Sequence, residues 1–307
     1  MKTAVLETVS QADVVGSAGN RSRNRVVADF AELVKARLTL LVLLTTAVGF
    51  YLGARSPVDY VALFHVVFGT ASAAAGAAAL NQWWERQADA LMARTRGRPV
   101  PAGRMRPIEA LVVGGALSVF GIGYLAIACN ALSAVLAAVT IVIYIFAYTP
   151  LNRISTFNTL VGAVPGALPP LIGWVAASGT IDAGAWSLFA IVFLWQLPHF
   201  FAIAWMYRDD YVRAGFRMIS SDDPSGERSA SQSVFFCILL LVIAGLPAFL
   251  GMTTVVYLPV ELALGCSFIA VAMRFLRMRT PGAARALFVT SIVYLPLLLG
   301  VLVLTKL

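Results

Sequence analysis

The sequence predicts an all-α polytopic membrane protein with about nine transmembrane helices. Of its 307 residues, 60% are hydrophobic and only 12% are charged, whereas a soluble domain carries about 25% charged residues. The apolar residues are also grouped into runs close to the roughly 20 residues that a helix needs to cross the bilayer. These features argue against a soluble enzyme and against a soluble DNA-binding domain.

Nine apolar runs follow a polar N-terminal stretch. Within lipid, a helix satisfies its own backbone hydrogen bonds, so each run predicts a helix. The runs cover roughly 38–54, 60–82, 108–129, 131–148, 158–177, 183–205, 233–253, 255–274 and 284–305. We therefore expect residues 1–30 to form a disordered cytoplasmic tail and residues 31–307 to form one transmembrane domain.

Basic residues lie almost entirely on one side of the predicted bundle. That side holds 21 of the 23 lysines and arginines, and the opposite side keeps only Arg55 and Lys306. The positive-inside rule then places the N-terminus in the cytoplasm. We expect a multi-pass protein of the bacterial plasma (inner) membrane, with the mitochondrial inner membrane as the alternative. The basic face suits anionic lipid or an anionic substrate. Nucleic acid is not expected, because no motif for binding it is present.

A stripe of polar residues begins at the end of the second run and continues just beyond it. Asn81, Glu85 and Asp89 are spaced i, i+4 and i+8, which places them on one side of a helix over about 12 Å. Their oxygens are hard ligands of the kind that Mg²⁺ combines with substrate phosphates. A helix end emerging into water would explain Asp89, but Asn81 and Glu85 follow directly on the apolar run.

Arginines follow this stripe at once, beginning with Arg86 and continuing with Arg94, Arg96 and Arg98. A guanidinium group binds phosphate oxygens through two parallel hydrogen bonds. The positive-inside rule alone also explains a basic loop. An acidic stripe followed by arginines nevertheless predicts a site for a diphosphate bound with magnesium.

The sixth run carries a second set of candidates. Asp209 and Asp210 lie where this run meets the same face, which predicts a second metal cluster opposite the first. His199 lies inside the run after Pro198, and an ionisable residue within the membrane is a functional candidate by default. It could bind haem iron, donate to a haem propionate, or pair with a backbone carbonyl at a proline kink.

Four blocks of residues, spread over roughly 33–305, match the pattern of a known family. They are Lys35-Ala-Arg37-Leu-Thr39; Asn81-xxx-Glu85-Arg86-xx-Asp89 with Arg94-Thr95-xx-Arg98-Pro99; Tyr148-Thr149-Pro150-Leu151 with the glycine-rich stretch 162–174; and Trp195-Gln196-xx-His199-Phe200 with Asp210-Tyr211-xx-Ala214-Gly215. On these blocks the chain resembles the protoheme IX farnesyltransferases (haem O synthases), which belong to the UbiA-type intramembrane prenyltransferases.

The resemblance implies a UbiA-type prenyltransferase bundle that transfers a farnesyl group from farnesyl diphosphate to a vinyl group of haem b, giving haem O and diphosphate. The implied partners are these two substrates, the lipid bilayer and a haem A synthase that accepts haem O. The implied site has Mg²⁺ on Asn81, Glu85, Asp89 and Asp210, with Asp209 also catalytic; diphosphate on Lys35, Arg37, Arg94, Arg98 and Arg153; and haem on His199.

The chain departs from the family pattern at two positions near this site. Glu85 stands where the family has aspartate, and Asn152 stands where it has lysine. The second acidic region also lacks a DxxxD spacing.

Two other functions remain open. One is a prenyltransferase acting on a quinone or chlorophyll precursor, against which the blocks around His199 and 162–174 favour haem. The other is a multi-pass transporter, whose site we would expect near the bilayer midplane at broken helices. The acids here cluster at one face beside arginines, which favours an enzyme.

Overall fold

The structure, a computed structural model, describes residues 25–307; residues 1–24, which include most of the predicted tail, lie outside the described part. Nine helices in this part are long and apolar enough to cross a membrane, as the apolar runs predict. They are α1 Ala36–Gly53, α2 Tyr60–Leu91, α3 Pro107–Ala128, α4 Ala131–Leu151, α5 Asn158–Ser178, α6 Ala183–Met206, α7 Glu227–Phe249, α8 Tyr257–Met278 and α9 Pro281–Leu304. A helix over 25–33 precedes them, so residues 25–30 of the predicted tail are helical.

Local sequence signals explain where several helices begin. The Asp59 carboxylate accepts hydrogen bonds from the backbone amides of Val61 and Ala62 and so caps α2. Asp182 caps α6 in the same way through the amide of Ala185. Such side-chain caps satisfy amides that have no partner within the first turn.

Two helices extend past their apolar runs in ways that shape the polar end of the bundle. Helix α2 has 32 residues and continues from its apolar run, which ends near residue 82, to Leu91, so it includes the stripe that the spacing placed on one helix. Helix α4 contains a π-helical segment, Ile143–Tyr148, before its last turn. Single π-helical turns inside α-helices occur frequently at functional sites. The first extension makes the acidic stripe part of a rigid helix.

Small residues allow the helices to approach closely. Gly49 and Gly173 place α1 against α5: a Cβ at Gly173 would collide with the backbone of Thr46 and Phe50. Gly76 and Gly121 do the same where α2 crosses α3. Close approach through small residues is a usual basis of helix association in lipid, where burial of apolar surface gives little driving force. Helices α5 and α6 are the most buried of the nine, and they form the centre of the bundle.

Gly173→Ala should lower the free energy of unfolding by about 1–3 kcal/mol, because the added methyl group overpacks the α1–α5 contact. The matched control is Gly115→Ala on α3, where a Cβ meets nothing within 4 Å. Thermal unfolding of both variants in detergent provides the measurement. Equal midpoints for the two variants would contradict the close α1–α5 contact.

Candidate active site

The first residue of the acidic stripe joins three helices. Asn81 is buried on α2, and its Oδ1 accepts a hydrogen bond of 2.7 Å from Nζ of Lys35, which immediately precedes α1. The Asn81 Nδ2 donates to Oγ1 of Thr149 on α4 over 3.3 Å. Lys35 also lies 3.3 Å from the hydroxyl of Tyr144. Asn81 therefore fixes the start of α1 and the end of α4 against α2.

The surroundings of Lys35 disfavour its positive charge. Burial of its ammonium group and the nearby guanidinium of Arg98 lower the pKa of Lys35 to about 8, against the opposing effect of the Glu85 and Asp89 carboxylates. An added negative charge beside Lys35 would stabilise its protonated form. The position therefore favours binding of an anion.

Glu85, the second residue of the stripe, contacts the other position at which the chain departs from the family pattern. Nδ2 of Asn152 donates to Oε1 of Glu85 over 3.0 Å. An ionised Glu85 can only accept hydrogen bonds, and the amide of Asn152 presents its Nδ2 to it. Oδ1 of Asn152 is then left buried without a hydrogen-bond partner among the described residues. The two departures thus form one contacting pair, in which a neutral amide holds the longer carboxylate.

Asp89, the third residue of the stripe, is paired on one oxygen and free on the other. Its side chain is 1% exposed, and its Oδ2 lies 2.6 Å from Nη1 of Arg98. Within the described part of the chain its buried Oδ1 has no hydrogen-bond partner. The Thr95 hydroxyl donates to the Asp89 carbonyl, which folds the following loop back over the end of α2. A buried unpartnered carboxylate oxygen is costly, and a cation would satisfy it.

Arg94 connects this loop to the segment that follows α6. Its Nη2 donates to the hydroxyl of Tyr211 over 3.1 Å, and its guanidinium lies over the rings of Tyr207 and Tyr211. Burial raises the pKa of Tyr211, so its hydroxyl stays protonated. We call Lys35, Asn81, Glu85, Asp89, Arg94, Arg98 and Asn152 the polar cluster.

Only part of the second acidic region contacts the polar cluster. Tyr211 accepts a hydrogen bond from Arg94, whereas the described side chains of Asp209 and Asp210 pair with Arg208 and Arg213 and with no residue of the cluster. Helix α6 ends at Met206, and a separate short helix, Arg208–Arg213, carries the two aspartates. The Asp209 side chain is 83% exposed, and Asp210 pairs with Arg213. In residues 25–307 no three His, Cys, Asp or Glu side chains come together as a metal site. The two facing acidic clusters stay a prediction: a helix break at Tyr207 places both aspartates on a separate short helix, whose Tyr211 contacts Arg94.

Two of the predicted diphosphate ligands also lie apart from the polar cluster. Arg37 and Arg153 are exposed, and their side chains make no hydrogen bond or ion pair with any other described residue. Arg37 lies at the start of α1 and Arg153 just after the end of α4, both with side chains exposed at the edge of the bundle.

Sequence reasoning gave no role to four residues that the structure places at this site: Tyr144, Tyr148, Asn152 and Tyr211. Tyr144 and Tyr148 stack on each other at 5.5 Å within the π-helical segment. The Tyr148–Leu151 block marked this region as part of the family pattern. The residues of this region that contact α2 are far from it in sequence, however, so no spacing rule could have predicted the contact.

His199 lies apart from the polar cluster, on the face of α6 that packs on α9. Its Nδ1 is 2.7 Å from Oγ of Ser291. One role open from the sequence paired His199 with a backbone carbonyl at a proline kink. Its Nδ1 instead contacts the Ser291 hydroxyl.

Comparison with known proteins identifies the family. Residues 42–297 match the UbiA prenyltransferase family. The chain belongs to this family. It is 43% identical to the protoheme IX farnesyltransferase of Solibacter usitatus over 287 residues, covering 91% of this chain and 98% of the relative. The corresponding protein of Opitutus terrae is 44% identical over 92% and 96% of the two chains. The protein is therefore a multi-pass membrane prenyltransferase of the UbiA family.

Solved structures of UbiA proteins share the fold. A digeranylgeranylglyceryl phosphate synthase superposes with a TM-score of 0.76 at 15% identity, over 91% of this chain and 98% of that one. A UbiA homologue from Archaeoglobus fulgidus bound to GPP and Mg²⁺ gives 0.66 at 16% identity, over 89% and 99%. These likenesses confirm the predicted UbiA-type bundle.

The contact between Glu85 and Asn152 predicts that substitutions at the two positions are energetically coupled. Asn152→Ala should lower prenyl transfer about 10-fold or more, because Glu85 loses the donor that orients it. In a Glu85→Gln background the same change should cost much less, since the carboxylate has already been removed. Initial rates of the four proteins in this double-mutant cycle provide the measurement. Additive losses would mean that the two side chains act independently.

Proposed function

We propose that this protein transfers a farnesyl group from farnesyl diphosphate to a vinyl group of haem b, giving haem O and diphosphate. We infer prenyl transfer from a diphosphate on the basis of one observation. A buried acidic stripe with an unpartnered oxygen lies among Lys35, Arg94 and Arg98 at the proposed cytoplasmic end of a membrane bundle. The choice of haem b and farnesyl diphosphate is supported by full-length relatives named protoheme IX farnesyltransferase.

The polar cluster fits a magnesium ion. Asn81, Glu85 and Asp89 offer amide and carboxylate oxygens on one helix face, and Oδ1 of Asp89 is buried without a partner. These are the hard ligands that Mg²⁺ takes. A bound Mg²⁺ would act as a Lewis acid that stabilises charge on the departing diphosphate. Asp210, the fourth ligand implied by the family resemblance, would first have to leave Arg213.

The cations of the cluster stabilise the anionic leaving group. Lys35, Arg94 and Arg98 approach the acidic stripe from three different segments, and their donors are preorganised before substrate binds. Preorganised charge of this kind is usually the largest single contribution to catalysis. Arg37 and Arg153, exposed at the edge of the bundle, attract the diphosphate by long-range electrostatics.

The lipophilic parts of the substrates belong in the apolar body of the bundle. As the allylic carbon loses diphosphate it gains positive charge, and the stacked rings of Tyr144 and Tyr148 next to the cluster offer π faces to stabilise it. His199, deeper in the membrane on α6, is the proposed haem contact. Helix α2 runs unbroken from the far side of the bundle to the cluster, unlike the broken helices of transporter sites.

The proposed setting is the bacterial inner membrane, with the N-terminus and the polar cluster on the cytoplasmic side. The product, haem O, remains lipophilic, and a haem A synthase in the same membrane is its proposed acceptor. This placement follows from the one-sided distribution of lysine and arginine.

Membranes that contain the protein should convert haem b and farnesyl diphosphate into haem O when Mg²⁺ is present, as read by the mass of the product. Chelation should abolish product, because the acidic stripe then has no cation to offset its charge beside the diphosphate, and added Mg²⁺ should restore it. Full turnover in chelator would contradict the metal assignment. A prenylated quinone in place of haem O would contradict the substrate assignment, and an absence of any prenyl transfer would favour a transporter.

Variants of the stripe separate a catalytic carboxylate from a structural one in the same assay. Asp89→Asn and Glu85→Gln should each remove most of the activity, while Glu85→Asp should be milder. The matched control is Asp59→Asn, which changes a helix-capping aspartate at the opposite end of α2. Unchanged activity in Glu85→Gln would leave the metal to Asn81 and Asp89.

The proposed orientation predicts which side of the membrane each loop faces. In a background without Cys129, Cys237 and Cys266, a cysteine at Arg96 should react with an impermeant reagent only from the cytoplasmic side. A cysteine at Ser178 should react only from the other side, because an odd number of helices separates the two positions. The reverse pattern would invert the topology.

A further inference from the structure

A hydrogen-bond chain from α9 bears on which nitrogen of His199 carries the proton. Oγ of Ser291 lies 2.7 Å from Nδ1 of His199 and 2.6 Å from the backbone oxygen of Phe288. Because a carbonyl oxygen only accepts, both short contacts are satisfied together when the single hydroxyl hydrogen of Ser291 points to Phe288 and Oγ accepts from the imidazole. We infer from this arrangement that Nδ1 is the donor.

The position of this proton leaves Nε2 with a free lone pair. In a neutral imidazole one nitrogen donates and the other accepts, and no carboxylate among residues 25–307 pairs with His199 to hold it as an imidazolium. With its proton on Nδ1, the neutral ring cannot donate from Nε2 to a haem propionate. Of the three roles open from the sequence, the tautomer favours a bond from Nε2 to haem iron.

The plane of the ring is fixed as well as its tautomer. The imidazole stacks on Trp195 at 5.5 Å and packs on Phe288 at 4.9 Å. The Trp195 indole nitrogen donates to the backbone oxygen of Ser291 over 2.7 Å. This bond holds α6 in register with α9, so His199 meets Ser291 in one geometry.

We propose that Ser291 is a positioning residue that holds His199 as its Nδ1–H tautomer and presents Nε2 to the iron of haem b. This inference rests on the proposed function, because it takes haem as the ligand. Histidines that bind metals usually donate their other nitrogen to a fixed acceptor, which orients the ring and raises its basicity. Loss of such an acceptor typically lowers metal affinity about 10–100-fold.

The test is a titration of the purified full-length protein with haem b, read by absorption and by resonance Raman of the ferrous complex. The wild type should show an iron–histidine stretching band that His199→Ala removes. Ser291→Ala should bind haem about 10–100-fold more weakly and shift that band to lower frequency, because the ligand loses its acceptor. Ser291→Thr, which keeps the hydroxyl, should restore both.

Ser187→Ala on α6 is the matched control. The Ser187 hydroxyl is buried and also donates to the backbone oxygen three residues earlier, but it has no histidine partner. This variant should leave the iron–histidine band unchanged. A shift equal to that of Ser291→Ala would show that loss of any buried hydroxyl perturbs the band, and the proposal would fail.

Free imidazole provides a second test that does not need Ser291→Ala to bind haem tightly. In His199→Gly, imidazole should ligate the iron at lower concentration than 1-methylimidazole, which has no N–H to donate to Ser291. The preference should disappear in the double variant with Ser291→Ala. Equal ligation by both compounds in His199→Gly would overturn the role of Ser291.

The outcomes also separate this inference from the proposed function. Wild-type affinity and an unshifted band in Ser291→Ala would overturn the role of Ser291 and leave haem O formation intact. A wild type that makes haem O without any iron–histidine band would overturn iron ligation by His199 and this inference together. A wild type that makes no haem O would count against the proposed function itself.

Discussion

Polar and charged groups carried into the end of a membrane bundle need hydrogen-bond or ion-pair partners, and one stripe of α2 imposes this requirement on the whole polar end of the bundle. Asn81, Glu85 and Asp89 each draw a partner from a different segment: Lys35 before α1, Asn152 after α4 and Arg98 in the loop after α2. Breaking one pair would leave a polar or charged group without compensation in a region of low dielectric, which is strongly destabilising. The same contacts that compensate the stripe therefore hold the ends of three helices together.

Some polar groups of the cluster have no matching partner, and their chemistry suits the proposed substrate. Oδ1 of Asp89 and Oδ1 of Asn152 are buried without partners, while Lys35 has its pKa lowered by burial and by Arg98. One end of the cluster therefore favours a cation, and the other favours an anion. A diphosphate bound with a divalent cation supplies both charges at once.

The sequence predicted the elements well and their contacts poorly. Apolar runs of about 20 residues located all nine helices, because helix formation in lipid depends mainly on local composition. The apolar run ended near residue 82, and the i, i+4, i+8 spacing carried the predicted helix on to Asp89, close to its end at Leu91. The turns that carry Glu85 and Asp89 are stabilised by Lys35, Asn152 and Arg98, which hydropathy does not report. The π-helical segment of α4 likewise has no signal in composition.

Contacts between distant segments account for the rest of the difference. The i, i+4, i+8 spacing placed the acidic stripe on one helix face, but it could not show that Asn152 lies opposite Glu85. Asp209 and Asp210 looked equivalent to the stripe, since both follow an apolar run. A break at Tyr207 places them on a separate short helix, where Asp209 is exposed and Asp210 pairs with Arg213. Such a break depends on how the loop packs.

We propose that the polar cluster binds a prenyl diphosphate and a divalent cation as one unit. Calorimetric titration of the purified protein with farnesyl diphosphate, with and without Mg²⁺, tests it most directly. We expect Mg²⁺ to strengthen farnesyl diphosphate binding and farnesyl diphosphate to strengthen Mg²⁺ binding by the same factor, as linkage requires. This coupling should be lost in Asp89→Asn. Equal affinity for farnesyl diphosphate with and without Mg²⁺ in the wild type would contradict the claim.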